Sequence, residues 1–288
     1  MQSENGIIST RSPSRVMIRC ILKSTCSICA CPAAVSIGQI GHRQLARCSG
    51  CGHRFVAKWS DEALADEYRA AYYSDASDPR IDAWATAHRV VWDAIVDQLL
   101  SLHPSASTFL DVGSGSGGFL GRLRHRHPDA GLGAVESAAP ARDALSVRMP
   151  DLTFVTDKAE CLDQVQERFD VVTMLQTLEH VSDPLAAVRG ALRCLNPGGL
   201  LFATVPNRRS LSVLRHGRAA DCYANGTHLQ FFSRKSLFKL IREAGFPRVT
   251  RVIHFGGGQH TTRLHATVQY LVRLLGLSTE LRVVATRS

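Results

Sequence analysis

No run of apolar residues in this sequence approaches the roughly 20 needed to cross a bilayer, so a membrane-spanning helix is not expected. Met1 to Arg15 are polar and lack the apolar core of a secretory signal, which makes a cytoplasmic location the default. Internal repeats and long low-complexity segments are also missing, and with them any ground for reading a solenoid or an array. A disordered chain is excluded by composition, with 45% apolar and 20% charged residues over 288 positions. That length allows one medium domain plus a small module.

The formal net charge is +9, yet the arginines are scattered. Their densest run, Arg122-Leu123-Arg124-His125-Arg126, reads as a solvated helix face more simply than as a nucleic-acid groove. A nucleic-acid partner is therefore kept only as an alternative. The nine cysteines are unevenly placed, with Cys26, Cys29, Cys31, Cys48 and Cys51 falling within 26 residues. An odd count with paired Cys-x-x-Cys spacing and no signal sequence points to metal binding and not to disulfides.

Four regions follow from the pattern: a disordered leader over 1–23, in which Met17 is a candidate start, a metal-binding module over 24–56, a helical linker over 57–106, and a larger domain over 107–288. In the linker an acidic helix is expected over 60–70, then a longer one over 82–102, with Trp84, Val91, Ile95, Leu99 and Leu102 at near-helical spacing and Pro104 as its stop. From Thr108 on, short apolar runs alternate with helical stretches. Strands are expected over 108–112, 131–135, 152–155, 169–175 and 200–205. Helices are expected over 116–126, 139–148, 158–166 and 184–195. This alternation calls for a parallel sheet with helices on both faces. Residues 206–233 read as a loop, 234–244 as a helix closed by Gly245, 247–255 and 281–286 as final strands, and 261–277 as helical.

The glycine-dense turn Gly113-Ser114-Gly115-Ser116-Gly117-Gly118 follows directly on the apolar strand Phe109-Leu110-Asp111-Val112. Glycines there let the chain turn sharply and a ligand lie against the backbone, while the helix behind offers free N–H groups. Glu136 lies 23 residues after Gly113, at the end of the next strand, near the offset at which a carboxylate meets a nucleotide's ribose hydroxyls. Asp157 ends the third strand in the same relative place. A dinucleotide-dependent oxidoreductase is an open alternative. Asp111 speaks against it, because a carboxylate before the glycines repels a pyrophosphate and suits a cationic ligand.

In consistent order over 108–286, these segments resemble the class I S-adenosylmethionine-dependent methyltransferases. Leu110 to Gly117 resembles their first motif, with Asp111, Gly113, Gly115 and Gly117 as cofactor-binding positions. Glu136 resembles their ribose-binding acid and Asp157 the acid near the adenine. Phe169-Asp170-Val171-Val172 through Leu178-Glu179-His180-Val181, which includes Gln176 as a further cofactor contact, is similar to the fourth strand and its loop. Leu195-Asn196-Pro197-Gly198-Gly199 is similar to the turn that opens the fifth strand, and His228-Leu229-Gln230-Phe231-Phe232-Ser233 to the C-terminal part. The resemblance implies a Rossmann-like α/β fold with a seven-stranded, mostly parallel sheet preceded by a small zinc ribbon. It implies S-adenosylmethionine as cofactor and a small-molecule acceptor, in the group around ubiquinone-biosynthesis and sugar methyltransferases. Where metal-dependent relatives present Glu-x-x-Glu-His, this chain has Gln176. Where sugar C-methyltransferases show a His-Glu-His cluster, it has Gly226-Thr227-His228.

In the module, Cys26-x-x-Cys29 and Cys48-x-x-Cys51 stand 18 residues apart, a zinc-site spacing. Four thiolates suit tetrahedral zinc in a closed, structural site. Cys31 is a competing ligand, and His53 is expected at the surface. Methyl transfer to a hydroxyl requires an aligned acceptor and a proton acceptor. His228 and His180 are the candidate bases, within or beside a substrate-covering segment over 207–232. Tyr72, Tyr73 and Tyr223 are candidate pocket aromatics.

Overall fold

The computed structural model describes residues 21–22, 25–41, 43–58, 80–251, 271–272 and 274–288. Most of the leader, the 60–70 helix, Tyr72, Tyr73 and most of the 261–277 helix lie outside the described residues.

Two sheets organise the chain. The larger has seven strands: β5 (Thr108–Val112), β6 (Gly131–Val135), β7 (Thr153–Thr156), β8 (Phe169–Leu175), β9 (Leu195–Pro206), β11 (Arg248–Arg251) and β12 (Glu280–Thr286), in the spatial order β11-β12-β9-β8-β5-β6-β7. Pairing is parallel from β7 through β9, and β12 runs antiparallel to both β9 and β11. This is the expected Rossmann-like α/β fold, and the order of its strands reverses between β5 and β8.

Side-chain alternation decides the two faces. Leu110, Val112, Val172, Met174, Leu201 and Ala203 share one core with the helices Pro184–Cys194 and Arg234–Glu243. Phe109, Leu132, Ala134, Val171 and Phe202 share the other with the helices Arg80–Leu102 and Gly118–Arg126. Strands buried on both faces read as continuous apolar runs, which is why β8 and β9 were legible. In the helix Arg80–Leu102 the inward stripe is Trp92, Ile95, Val96 and Leu99, while Val91 and Leu102 are exposed. The i, i+3, i+4, i+7 set meets the second core, and the expected register over Val91 and Leu102 faces away from it.

Local chemistry sets the boundaries. Asp183 caps its helix by accepting from the Ala186 N–H at 3.0 Å, with Pro184 in the first turn. Ser233 and Ser236 form a reciprocal capping box. Asp170, on β8, accepts from the backbone N–H groups of Ser107 and Thr108 and from Asn196, tying the starts of β5, β8 and β9 together. The expected helix over 158–166 is a shorter 3-10 turn, Ala159–Gln164.

The smaller sheet is antiparallel: β1 (Ile21–Leu22), β2 (Ala34–Ile40), β3 (Arg43–Cys48), β4 (Arg54–Lys58) and, last, β10 (Gln230–Phe231). The outer strand comes from a distant part of the sequence, with Phe231 opposite Arg54 and Gln230 opposite Phe55. The segment expected as a loop over 206–233 thus carries helices Leu211–His216 and Asp221–Ala224 as well as β10. Short polar stretches conceal these elements, because their order comes from partners distant in sequence. Arg43 shows how. Its guanidinium, on a residue 6% exposed, donates to the carbonyls of Asn225, Gly226 and His228 at 3.0, 2.9 and 3.0 Å and to that of Tyr223 at 3.2 Å. Leu45, Val56, Tyr223, Leu229 and Phe231 close an apolar cluster beside it.

Arg43→Ala strips a charged donor from four carbonyls and is expected to cost about 2–4 kcal/mol. Hydrogen exchange should accelerate over 220–231 while β5, β8 and β9 keep their protection. Unchanged exchange over 220–231 would show that this segment holds itself.

Candidate active site

The carboxyl ends of the parallel strands gather the sequence-predicted residues into two groups, one on each side of the strand-order reversal, where open α/β sheets bind ligands. The first group is the glycine turn. Gly113 and Gly117 have φ of +78° and +80°, and a Cβ on Gly113 would stand 2.5 Å from the Thr177 hydroxyl, so this turn and the loop after β8 approach as only glycine allows. Glu136, at the end of β6, bridges the turn: Oε2 accepts from the Gly115 N–H at 2.7 Å and Oε1 from the Ala138 N–H at 2.8 Å. Asp111 is 3% exposed and accepts from the Thr173 hydroxyl at 2.6 Å. Burial, against the Thr173 bond and with help from the Glu136 charge, pushes Asp111 up to about 7. Burial also raises Glu136, opposed by the N–H groups of Ala138 and Gly115. Asp157 stands exposed just past β7.

These residues fit S-adenosylmethionine. The turn is open at Gly115, where a Cβ would meet nothing within 4 Å, and the buried Ser116 hydroxyl has no partner among the described residues. Two desolvated carboxyls beside that opening suit a ligand with a cationic sulfonium and amino group.

Gln176 is not brought into this group. Its backbone has φ +54°, and its side-chain amide donates to Thr204 Oγ1 at 3.2 Å and to Glu280 Oε2 at 2.8 Å, on β9 and β12. A positive φ at a non-glycine residue is a strained feature that clusters at functional sites.

The second group stands over β8 and β9. The rings of His180 and His228 meet edge to face with centroids 4.8 Å apart. His228 is 6% exposed and its Nδ1 bonds to the Cys222 carbonyl at 2.9 Å, which assigns the proton to Nδ1. The Nδ1 of His180 bonds likewise to the Thr227 carbonyl at 3.1 Å. Burial pulls His228 down to about 4 and His180 to about 3, the latter also through the facing His228. Both imidazoles are neutral at pH 7. Glu179 is 1% exposed, its carboxyl oxygens have no hydrogen-bond partner among the described residues, and burial holds it well above the ordinary carboxylate range. Glu179, His180 and His228 together offer three ligand atoms within 4.8 Å of one another. Tyr223 packs instead of facing a pocket: it is 2% exposed, stacked on Phe231, and its hydroxyl accepts from Arg54 at 3.1 Å.

A family model described as a methyltransferase domain matches residues 84–252. The chain belongs to that family. A ubiquinone biosynthesis O-methyltransferase of Cereibacter sphaeroides is 33% identical over 156 residues, which is 49% of this chain and 61% of that protein. One from Ruegeria pomeroyi is 32% identical over 159 residues, 49% of this chain and 60% of that protein. The match thus spans about three fifths of the length of these curated relatives. Among solved structures, a Thermotoga maritima S-adenosylmethionine-dependent methyltransferase, described as a possible histamine N-methyltransferase, aligns with TM-score 0.52 at 18% identity over 78% of this chain and 100% of that one, which supports the fold. The class I methyltransferase domain therefore carries both groups of residues.

The module that precedes this methyltransferase domain has its own centre. The sulfurs of Cys26, Cys29, Cys48 and Cys51 lie within 4.8 Å of one another, with Cys26–Cys51 at 3.7 Å and Cys29–Cys48 at 3.6 Å. With Zn–S bonds of about 2.3 Å, the edge of a sulfur tetrahedron is about 3.8 Å, so the four sulfurs are spaced for zinc. Cys31 is turned to the Ala33 carbonyl instead. His53 corrects the sequence expectation, since it is 0% exposed. Its ring lies on Phe55 and Phe232, and Nε2 bonds to Gln230 Oε1 at 3.0 Å. The burying surface comes from β10 and its flank, which neighbouring residues in the sequence do not reveal.

Purified, reduced protein is expected to hold about one zinc per chain by elemental analysis, and Cys48→Ser to lose it. Because β4 pairs with β10, metal loss should also loosen 220–231, while the core on the other face of the seven-stranded sheet, to which the module contributes no residue, keeps that sheet folded. Metal-free wild-type protein would overturn the zinc assignment.

Proposed function

We propose that the chain transfers a methyl group from S-adenosylmethionine to an oxygen of a small-molecule acceptor such as a sugar or glycan end, with zinc in a structural role. The observation that carries this is the Glu136 carboxylate, fixed by two backbone N–H groups at the glycine turn, with both carboxyls of that half desolvated beside an open backbone. The O-methyltransferase names of the curated relatives support oxygen as the acceptor atom. The four-cysteine module supports the sugar class through the family resemblance.

The cofactor supplies an electrophilic methyl on a positively charged sulfur. The chain's own residues do the rest. Gly113 to Gly117 and Glu136 hold the ligand on the β5–β6 half. The imidazoles over β8 and β9 face the acceptor, and His228, with its proton on Nδ1, presents Nε2 as the acceptor of the hydroxyl proton. The buried Nδ1 contact to Cys222 orients the ring, and exclusion of water from the Glu179–His180–His228 group keeps it neutral.

Glu136→Ala should weaken cofactor binding about tenfold or more in calorimetry, since a charge-assisted contact is worth about 1.5–3 kcal/mol. Unchanged affinity, or tight binding of a nicotinamide dinucleotide instead, would sink the assignment.

The same carboxyls predict a proton signature. Asp111 is raised to about 7, so it is largely half-protonated at neutral pH without ligand, and a cation beside it favours the charged form. Cofactor binding near pH 7 should therefore release a fraction of a proton, read as a binding enthalpy that varies with the ionisation enthalpy of the buffer. Proton uptake would contradict it.

With an acceptor in hand, His228→Ala should lower kcat by about 10²–10⁴ with cofactor affinity nearly unchanged. A larger loss in His180→Ala would move the base role to His180.

A further inference from the structure

Arg47 and Arg54 lie directly opposite each other on β3 and β4. Directly opposed residues share a face of the sheet, and like charges so placed are destabilising. The face is the one shared with Leu45 and Val56, which the 223–231 segment covers. A third arginine reaches the same place from the other sheet. Arg208 stands two residues beyond the end of β9, and its Nη2 donates to the Gly52 carbonyl at 3.4 Å. A Cβ on Gly52 would in turn lie 3.8 Å from Nε and Nη2 of Arg47. Arg209 follows, exposed at the rim.

Elsewhere in the fold arginines find carboxylates, as Arg122 does with Asp93 and Arg124 with Asp151. Among the described residues none of these four does. The Nε atoms of Arg54 and Arg208 are buried and have no hydrogen-bond partner among the described residues. Burial, and then the charges of Arg54, Arg209 and Arg47, hold the Arg208 guanidinium below its ordinary value, opposed by Tyr223. Positive charge is thus concentrated at the carboxyl end of a parallel strand, on the acceptor half of the sheet.

We propose that Arg47, Arg54 and Arg208, with Arg209 at the rim, bind a phosphate or diphosphate group carried by the small-molecule acceptor. The planar fork of a guanidinium matches phosphate oxygens bidentately. Several such forks exceed what one carboxylate can neutralise, whereas a diphosphate spreads two or more negative charges over several oxygens. Binding would also remove the repulsion between Arg47 and Arg54. The assignment of the anion to the acceptor rests on the methyl-transfer reading, which places the acceptor over β8 and β9.

The test uses the full chain with its zinc and with S-adenosylhomocysteine bound, and inorganic pyrophosphate as the probe. Titration calorimetry should show saturable binding, weakened about tenfold or more in Arg47→Gln and in Arg54→Gln. Arg248→Gln, on the remote edge strand, should bind as wild type, and S-adenosylhomocysteine affinity should be the same in all. Arg54 also holds Tyr223, so its variant can fail by unfolding; Arg47 is exposed and its variant cannot be dismissed that way. A second reading separates binding from structure. Arg47→Gln should melt at the same temperature as ligand-free wild type or above it, and should lose the upward shift that pyrophosphate gives wild type. A lower melting temperature with pyrophosphate binding intact would make Arg47 structural and overturn the proposal. So would a wild type that binds S-adenosylhomocysteine but not millimolar pyrophosphate. RNA that binds with a salt dependence of several phosphates, and that pyrophosphate does not displace, would assign the cluster to nucleic acid and overturn the small-molecule reading. Pyrophosphate binding without any S-adenosylhomocysteine binding would leave the anion site standing and remove the methyl-transfer reading instead.

Discussion

Four backbone carbonyls between Tyr223 and His228 converge on the buried guanidinium of Arg43, and most of what distinguishes this molecule depends on that contact. Backbone polar groups taken out of water need partners. The chain after β9 is too short and too polar to supply them from a core of its own. It finds them in the module: Arg43 for the carbonyls, and β4 for the pairing of Gln230 and Phe231. The Leu229 carbonyl adds a bond from the Val56 N–H, and the Gln230 side chain spans His53 on one side and the Val181 carbonyl on the other. The cysteine module is thereby part of the wall around the candidate site, because the residues it holds include His228.

The sheet divides its electrostatics along the reversal in strand order. On the β5–β6 half, burial raises both carboxyls and leaves Asp111, pushed up to about 7, only partly ionised until a cation arrives. On the β8–β9 half, burial keeps two imidazoles neutral, and an uncompensated group of guanidiniums stands nearby. Desolvation does the same physical work in both places, since it disfavours whichever form carries charge. The outcome differs because the residue types differ.

Much of this was legible in order along the chain. The alternation from Thr108 to Val205 specified a parallel sheet because strands buried on both faces must be apolar throughout. The turn at Gly113 and the acid at Glu136 were legible because their spacing is a local consequence of one strand, one turn and one helix. The paired cysteines declared a tetrahedral site by spacing alone. His53 and the 206–233 segment were misread, and the side-chain partners of Gln176 and Tyr223 were unseen. Each takes its environment from a strand or loop far away in sequence: Glu280 for Gln176, Phe231 and Arg54 for Tyr223, Gln230 and Phe232 for His53, Arg43 for the segment.

The sequence by itself determined the class of fold, the glycine turn with its partner acid, and the four sulfurs, since these follow from periodicity and short-range spacing. Only the tertiary structure decided that the chain after β9 completes the module's sheet through β10 and brings Arg208 beside the module's Arg47 and Arg54. The pairing of β4 with β10 joins residues about 175 positions apart, and no local pattern encodes which distant edge a two-residue strand will complete.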